Sequence, residues 1–146
     1  MNNRIKLIIW DLDETIADTR HLKQFRDSRK WGQVFEMLSS VNHFSGIIDV
    51  YQNCILKYKQ AIVTNSPRKY ATGILDNFNI KPDLLIAYHD TRKHKPDPDP
   101  FLKCFEHFSI QPNTCIAIGD TLKDFNCSQN AKCHFIGVTW GELTAG

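Results

Sequence analysis

The 146-residue sequence contains no long hydrophobic run, no large excess of charge of one sign and no closely spaced pair of cysteines. Its N-terminal apolar stretch, residues 5–10, is interrupted by one lysine and followed directly by acidic residues. Such a stretch is too short for a secretory signal peptide or a membrane-spanning helix. We therefore expect a cytoplasmic protein with no membrane partner.

The charged and metal-binding residue types exclude further classes of protein. A formal net charge of +2 gives no sign of the dense basic surface of nucleic-acid-binding proteins, so we do not predict a nucleic-acid partner. The five cysteines form no C-x-x-C motif, which argues against a disulfide framework and a structural zinc site. The six histidines show neither H-x-x-x-H nor HExxH spacing. Reduced thiols in a cytosol are the simplest interpretation.

What the sequence does contain is an alternation of short apolar runs with segments of helical periodicity. Five short runs rich in aliphatic and β-branched residues predict strands buried on both faces. They are residues 5–10, 61–64, 84–88, 115–118 and 134–139. Apolar residues recur with helical spacing in segments 47–55, 70–78 and 101–108. Strands that alternate with helices indicate βαβ units and a parallel sheet.

This alternation predicts the fold class. We expect one α/β domain over residues 1–146, in which a mainly parallel five-stranded sheet carries helices on both faces as a three-layer sandwich. The alternation is interrupted between residues 16 and 44, where two helix-like pieces lie around Phe25 and from Val34 to Leu38. We interpret residues 16–44 as an insertion over the end of the first strand.

Polar residues follow four of the five predicted strands. In a parallel α/β sheet, ligands bind beyond the carboxyl ends of the strands, so these residues are the candidates for chemistry. They are Asp11 and Asp13 after the first strand, Thr64 and Asn65 after the second, Lys93 and Lys95 after the third, and Asp120 and Asp124 after the fourth.

Together these residue types indicate a site for a metal ion and a phosphate group. Carboxylates are hard oxygen donors suited to Mg²⁺, and a bound cation would relieve the repulsion between Asp11 and Asp13. Thr64 and the backbone N–H groups of the helix that follows can hold phosphoryl oxygens. A lysine such as Lys95 can stabilise negative charge that develops in a transition state.

Each of these features also has a simpler interpretation when it is taken alone. An aspartate after a strand is often a turn residue, and a threonine before a helix is often its cap. Two acids four residues apart suit the first turn of a surface helix. Lysines in proline-rich loops are usually solvated, and Lys93 competes with Lys95 for any role in the site.

Four motifs occur in order at the predicted strand ends: "DLDET", "IVTNS", "KHKPDPDPF" and "GDTLKD". They resemble the motifs of haloacid dehalogenase-like hydrolases, which have an aspartate pair, a threonine or serine, a lysine often followed by proline, and an acidic G-D-x-x-x-D. The resemblance extends from Ile5 to about Gly141. It implies a Rossmann-like core with a helical cap, here reduced to residues 16–44.

The resemblance also implies a role for each motif. Asp11 would be the nucleophile that forms an aspartyl phosphate, and Asp13 the general acid and base. Thr64, Asn65 and Lys95 would bind the phosphoryl group. The implied Mg²⁺ ligands are the Asp11 carboxylate, the Asp13 backbone carbonyl and Asp120, with Asp124 as a ligand or a support for one.

The function that we expect is therefore Mg²⁺-dependent hydrolysis of a phosphorylated metabolite or another phosphate ester, with a small molecule as the expected substrate. A phosphotransferase or phosphomutase of the same fold would keep every motif, and a catalytically idle binding or regulatory module could keep the fold. The small cap implies an open site or one completed by a second subunit in a homodimer.

Two features of the sequence have no role assigned by these motifs. Glu14 departs from the glycine that small-molecule phosphatases of the family often have at this position. The other is the basic strip, which consists of Arg20, Lys23, Arg26, Arg29 and Lys30. It is either a solvated helix face or a contact for an anionic part of the substrate or for a negatively charged macromolecule.

Overall fold

The structure, a computed structural model, describes residues 4–141 and is built around a parallel five-stranded sheet. Its strands are β1 (Leu7–Trp10), β4 (Lys59–Val63), β5 (Leu84–Ile86), β6 (Cys115–Gly119) and β7 (His134–Gly137). They lie in the order β5-β4-β1-β6-β7, and all four pairings are parallel. The parallel sheet confirms the predicted fold class. The second predicted strand begins earlier than expected because Lys59 and Gln60 pair with Leu7 and Ile8.

Four longer helices connect these strands. They are α3 (Ile47–Cys54), α4 (Arg68–Asn77), α5 (Asp99–Phe108) and α6 (Leu122–Ala131). The spacing of apolar residues in the sequence predicted α3, α4 and α5 but not α6. The buried side chains of α6 are small or polar, while its large apolar residues Leu122 and Phe125 are exposed. No helix within residues 4–141 has both the length and the apolar character needed to cross a membrane.

The helices form two layers on opposite faces of the sheet. Ile8, Trp10 and Ile62 point to one face, where they pack in one cluster with residues of α3 and α4. Leu7 and Ile9 point to the other face, towards α5 and α6. Because successive side chains of a strand alternate between faces, β1 contributes to both cores and is the central strand of the sheet.

Residues 16–44 form the segment between β1 and α3. It contains a two-stranded antiparallel ribbon of β2 (Ala17–Asp18) and β3 (Asn42–His43), with α1 (Lys23–Asp27) and α2 (Trp31–Glu36) between these strands. The ribbon brings the two ends of the segment together. Leu22, Val34 and Val41 of the segment are buried in the same cluster as Trp10. The two expected helical pieces are therefore present and packed against the core, and their function as a cap remains a prediction.

Candidate active site

The site lies at the carboxyl end of the sheet, where β1 meets its two neighbours. Asp11 follows β1 directly, and its N–H donates to the Ile118 carbonyl of β6 at 2.9 Å. On the other side of β1, β4 ends at Val63, so Thr64 lies next to the same edge. Asp120 follows β6 in the corresponding position. Parallel pairing on both sides of β1 thus brings the ends of three strands together.

Lys95 reaches this edge from the loop between β5 and α5. Its Nζ atom donates to Asp11 Oδ1 at 2.9 Å, to Asp124 Oδ1 at 2.7 Å and to the Val63 carbonyl at 2.9 Å. An ammonium group has three N–H bonds, so each one has an acceptor. Lys93, the competing lysine, is exposed on the same loop. The structure therefore brings Lys95 to the aspartates and leaves Lys93 outside.

Asp11, Asp120 and Asp124 form an acidic cluster. Each offers a carboxylate oxygen, and these atoms lie within 4.8 Å of one another. Asp124 is fixed by an N-terminal capping box of α6, in which Thr121 Oγ1 accepts from the Asp124 N–H at 3.2 Å and the Thr121 N–H donates to Asp124 Oδ2 at 3.2 Å. Gly119 is required beside it, because a Cβ atom there would overlap the Asp124 carboxylate.

The charges of this cluster do not balance. Burial raises the pKa of Asp11 well above its usual value, the negative charge of Asp124 raises it further, and Lys95 lowers it only in part. Burial works to raise the pKa of Asp124, but the charge and hydrogen bond of Lys95 together with the hydrogen bonds from Thr121 outweigh it and hold that pKa below its usual value. Burial works against the charged form of Lys95, yet Asp11 and Asp124 raise its pKa. The cluster is thus a favourable place for an additional cation.

The Asp13 side chain lies outside this cluster and has a different set of partners. Thr19 Oγ1 donates to Asp13 Oδ1 at 2.7 Å, and the Tyr70 hydroxyl donates to the same oxygen. Ser66 Oγ donates to Oδ2 at 3.2 Å, and Arg26 Nη1 lies 3.3 Å from Oδ2. Both carboxylate oxygens of Asp13 are therefore held by donors from the insertion and from the region of α4.

Glu14 adopts a backbone conformation that is uncommon for a residue with a side chain. Its φ angle is 61°, in the left-handed region. The turn that follows β1 requires this conformation, since the Glu14 N–H donates to the Ala17 carbonyl at 2.7 Å. The Glu14 carboxylate accepts from the Thr19 N–H at 2.7 Å. Burial raises the pKa of Glu14, and this effect outweighs the hydrogen bond from Thr19.

The basic strip does not behave as one surface. Arg20 pairs with Asp18 at 2.7 Å and Lys23 with Asp27 at 2.9 Å, and these pairs are largely exposed. Arg26 alone turns inward, where 17% of its side chain is exposed and its guanidinium faces Asp13. Most of the strip is therefore exposed to solvent, with Arg20 and Lys23 also lining the cleft beside the aspartates, whereas Arg26 is largely buried against Asp13. Contact between the strip and an anionic substrate stays a prediction.

Thr64 and Asn65 form the turn between β4 and α4. Thr64 Oγ1 accepts from the Ser66 N–H at 3.0 Å, which places the hydroxyl at the approach to α4. The Asn65 side-chain amide donates to the Lys95 carbonyl at 3.1 Å and so ties this turn to the lysine loop. Both residues line the same cleft as the aspartates. The structure thus brings all the residues that the four motifs contribute to one place.

The cleft has a volume of about 820 Å³. The carboxyl ends of the strands form its floor, and α1 of the insertion contributes one wall with Lys23, Arg26 and Asp27. Lys123, in the first turn of α6, lies on another side. The volume is in the range of small-molecule sites.

Several residues that contact the aspartates do not directly follow a core strand and were not predicted from the sequence. Thr15 is fully buried, and its hydroxyl lies 3.3 Å from both Asp11 Oδ2 and Asp120 Oδ1. Thr19, Arg26 and Tyr70 surround Asp13, and none of them follows a core strand. The sequence signal available for Thr15 was its place in "DLDET"; no comparable signal marked the other three.

Comparison with known proteins places this geometry in a family. Residues 22–138, most of the chain, match haloacid dehalogenase-like hydrolases. The chain belongs to the haloacid dehalogenase-like hydrolase family. This assignment confirms the resemblance that the four motifs indicated. The matched residues include Thr64, Lys95 and Asp120, while Asp11 and Asp13 precede them.

Curated relatives of this haloacid dehalogenase-like chain include two phosphoglycolate phosphatases. That of Nitrosospira multiformis is 32% identical over 90 residues, which are 58% of this chain and 38% of the relative. That of Psychrobacter arcticus is 34% identical over 87 residues, which are 58% of this chain and 37% of the relative. The chain thus spans less than half the length of the curated relatives that it matches.

Solved structures of the family share the fold. A haloacid dehalogenase-superfamily hydrolase of Geobacter sulfurreducens has a TM-score of 0.78 at 17% identity, with 91% of this chain and 89% of that chain covered. CbbY of Rhodobacter sphaeroides, solved in complex with phosphate, has a TM-score of 0.81 at 13% identity, with 97% and 89% covered. At these identities the likeness shows the fold alone.

Proposed function

We propose that this haloacid dehalogenase-like chain hydrolyses phosphate monoesters with the help of Mg²⁺ and through an aspartyl phosphate at Asp11. The observation that carries the proposal is a pair of carboxylates that face one cleft with different partners. Asp11 lies beside Lys95 in an acidic cluster, and Asp13 is held by neutral hydroxyls and one arginine. Two relatives named phosphoglycolate phosphatase support the reaction class.

Asp11 is the proposed nucleophile. Its Oδ1 is held by Lys95, and its Oδ2 lies near the Thr15 hydroxyl, so the carboxylate has one orientation at the floor of the cleft. An Asp11 oxygen attacks phosphorus, a new P–O bond forms, and the bond from phosphorus to the leaving-group oxygen breaks. Covalent catalysis of this kind divides one difficult displacement into two easier ones.

Asp13 is the proposed general acid and base. In the first step it gives a proton to the departing oxygen of the ester. In the second step it takes a proton from the water that attacks phosphorus, which releases inorganic phosphate and regenerates the Asp11 carboxylate. Such proton transfer typically contributes about 10²- to 10⁴-fold. Hydroxyl donors and Arg26 hold the Asp13 side chain at the cleft.

The proposed phosphate contacts are Thr64, Asn65 and Lys95. Thr64 and the backbone at Asn65 lie at the approach to α4, where helix N-terminal N–H groups favour anions. Lys95 already donates to three acceptors. A phosphoryl oxygen would therefore take the place of one of them, most simply an Asp11 oxygen once that oxygen has bonded to phosphorus.

The acidic cluster fits a divalent cation. Three carboxylates whose oxygens lie within 4.8 Å of one another, with one lysine to balance them, leave net negative charge at the floor of the cleft. Asp11, Asp120 and Asp124 would hold Mg²⁺, together with the Asp13 backbone carbonyl. When bound, Mg²⁺ would supply positive charge that offsets these carboxylates and the phosphoryl oxygens.

The proposed substrate is a small phosphorylated metabolite. The cleft of about 820 Å³ is large enough for one, and its walls are mainly polar and charged side chains. The homodimer and the cytoplasmic location remain predictions.

The test is a hydrolysis screen of phosphorylated metabolites and p-nitrophenyl phosphate with Mg²⁺. We expect phosphate release by the wild type, none above background for Asp11→Asn, and a drop of about 10²- to 10⁴-fold for Asp13→Asn on esters with poor leaving groups. EDTA should stop the reaction and added Mg²⁺ should restore it.

A matched control is Asp76→Asn, which makes the same chemical change on an exposed part of α4. Its rate should equal that of the wild type. No release by the wild type would contradict the proposed function, and an unchanged rate for Asp11→Asn would exclude Asp11 as the nucleophile. Full activity in EDTA would remove the metal from the proposal.

A further inference from the structure

We propose that Glu14 and Arg26 are positioning residues for Asp13. They act together on its carboxylate, one through Thr19 and the other by direct contact. The inference rests on the proposed function, because it concerns how the general acid and base is held. It assigns a role to the residue that the motif "DLDET" leaves unexplained and to the one member of the basic strip that turns inward.

Glu14 reaches Asp13 through Thr19. The left-handed backbone of Glu14 turns its carboxylate back towards the insertion, where Oε1 accepts from the Thr19 N–H at 2.7 Å. Both Glu14 oxygens also lie 3.3 Å from Thr19 Oγ1. Thr19 is fully buried. With its N–H bound in this way, Thr19 has little freedom to move its hydroxyl away from Asp13.

The Thr19 hydroxyl has one proton, which it can donate to one acceptor at a time. The distance to Asp13 Oδ1 is 2.7 Å, against 3.3 Å to Glu14, so the proton points to Asp13. Glu14 thus binds the backbone of Thr19, and Thr19 binds the side chain of Asp13. Removal of the Glu14 carboxylate would loosen the second contact without touching Asp13 itself.

Arg26 spans the same two acids. Its Nη1 lies 3.3 Å from Asp13 Oδ2, and its Nη2 lies 3.8 Å from Glu14 Oε2. The guanidinium carbon lies 5.6 Å from the centre of the Tyr70 ring, which also donates to Asp13 through its hydroxyl. A planar guanidinium placed between two carboxylates fixes the relative position of both.

Arg26 divides its contacts between two carboxylates. Its Nη atoms face Asp13 and Glu14, and within residues 4–141 its buried Nε has no hydrogen-bond partner. Arg26 therefore orients Asp13 while it is shared with a second acid.

Glu14→Gly is the most informative variant. Glycine adopts a positive φ without strain, so the turn is kept and only the carboxylate is lost. We expect kcat to fall by about tenfold on the alkyl phosphate that the wild type hydrolyses best. On p-nitrophenyl phosphate, whose leaving group needs little protonation, the fall should be about threefold or less, with KM nearly unchanged on both esters.

The decisive comparison repeats Glu14→Gly in the Asp13→Asn background. A residue that acts through Asp13 has no further effect once the Asp13 carboxylate is absent, so the tenfold loss on the alkyl ester should disappear. If Glu14 had only a structural role, its replacement would lower kcat by the same factor in the wild type and in Asp13→Asn. The unfolding midpoint of each variant shows whether any loss of rate reflects loss of folded protein.

Two variants of Arg26 separate the effect of its positive charge from that of its planar guanidinium. Arg26→Met should lower kcat on the alkyl ester more than on p-nitrophenyl phosphate, and Arg26→Lys, which keeps the charge without the planar fork, should restore part of the rate. The matched control is Lys30→Met, which removes one positive charge from the same segment at an exposed position outside the cleft.

The outcomes separate the inference from the proposed function. Equal losses on both esters, or an undiminished effect of Glu14→Gly beside Asp13→Asn, would overturn the positioning role while hydrolysis by the wild type still supports the proposed function. An inactive wild type would contradict the proposed function, and the inference would fall with it. If Arg26→Met does not fold, Glu14→Gly and Arg26→Lys decide whether the two residues position Asp13.

Discussion

Asp11 and Asp13 are separated by one residue but lie in two different surroundings. Asp11 belongs to an acidic cluster in which Lys95 is the paired cation. Asp13 is surrounded by donors, of which the hydroxyls carry no charge. The same side chain is therefore suited to two different tasks. The cluster suits the proposed cation-binding nucleophile, and the donors around Asp13 hold that carboxylate in one orientation for its proposed role.

The largest effect is expected when Lys95, the positively charged side chain beside Asp11, is replaced. Lys95→Met leaves Asp11 and Asp124 buried without their partner, and the loss of one member of a buried ion pair costs about 3–5 kcal/mol. We expect that decrease in the free energy of urea-induced unfolding and no detectable hydrolysis. Lys93→Met, at an exposed position of the same loop, should change stability by less than about 0.5 kcal/mol. Equal effects of the two variants would contradict the assignment of Lys95.

A smaller loss of stability is expected when one of the donors to Asp13 is removed. Tyr70→Phe removes one hydroxyl that donates to Asp13, and a hydrogen bond to a charged group is worth about 1.5–3 kcal/mol. Because Thr19 and Ser66 remain as donors, we expect a loss near the lower end, measured by urea unfolding. Tyr88→Phe at an exposed site is the control. A loss as large as that of Lys95→Met would show that the two surroundings do not differ in the way proposed.

The pH dependence of stability should reveal the burial of Asp11. The pKa of Asp11 is raised by burial above its usual 3.8. In metal-free protein its contribution to stability is therefore complete below about pH 4 and is lost as the pH rises through the folded-state pKa. Relative to Asp11→Asn, the wild type in EDTA should lose up to about 1.4 kcal/mol per pH unit in that range. Mg²⁺ should remove the loss. A difference that stays constant with pH would contradict the charge imbalance of the cluster.

The smallest effect is expected for the exposed part of the basic strip. Lys23→Met breaks an exposed pair with Asp27 four residues away on α1, and such pairs contribute little because solvent screens them. We expect no measurable change in the unfolding midpoint. A decrease comparable with that of Arg26→Met would show that the strip acts as one surface, contrary to the division between its inward and outward members.

The sequence predicted the parts of the site that depend on sheet topology. Asp11, Thr64 and Asp120 follow strands that pair in parallel, so their meeting at one edge follows from the alternation of strands and helices. Lys95 could be preferred over Lys93 only through the family resemblance, since both lie in the same proline-rich loop. Their separation in space depends on how that loop packs.

The surroundings of Asp13 could not be predicted in the same way. Thr19 and Arg26 come from the insertion, whose path is fixed by the left-handed turn at Glu14 and by packing of Leu22 and Val34 on the core. Periodicity describes neither a positive φ angle nor the direction of one arginine in a charged helix. These contacts arise from tertiary packing, and local sequence patterns do not record them.

The most direct test of the account is chemical trapping of the covalent intermediate. The wild type is mixed with substrate and Mg²⁺, quenched, and treated with borohydride, which reduces an acyl phosphate to an alcohol, and the modified peptide is located by mass spectrometry. The account predicts substrate-dependent conversion of the Asp11 side chain and of no other carboxylate. Steady hydrolysis with an unmodified Asp11, or with the modification on Asp13, would contradict it.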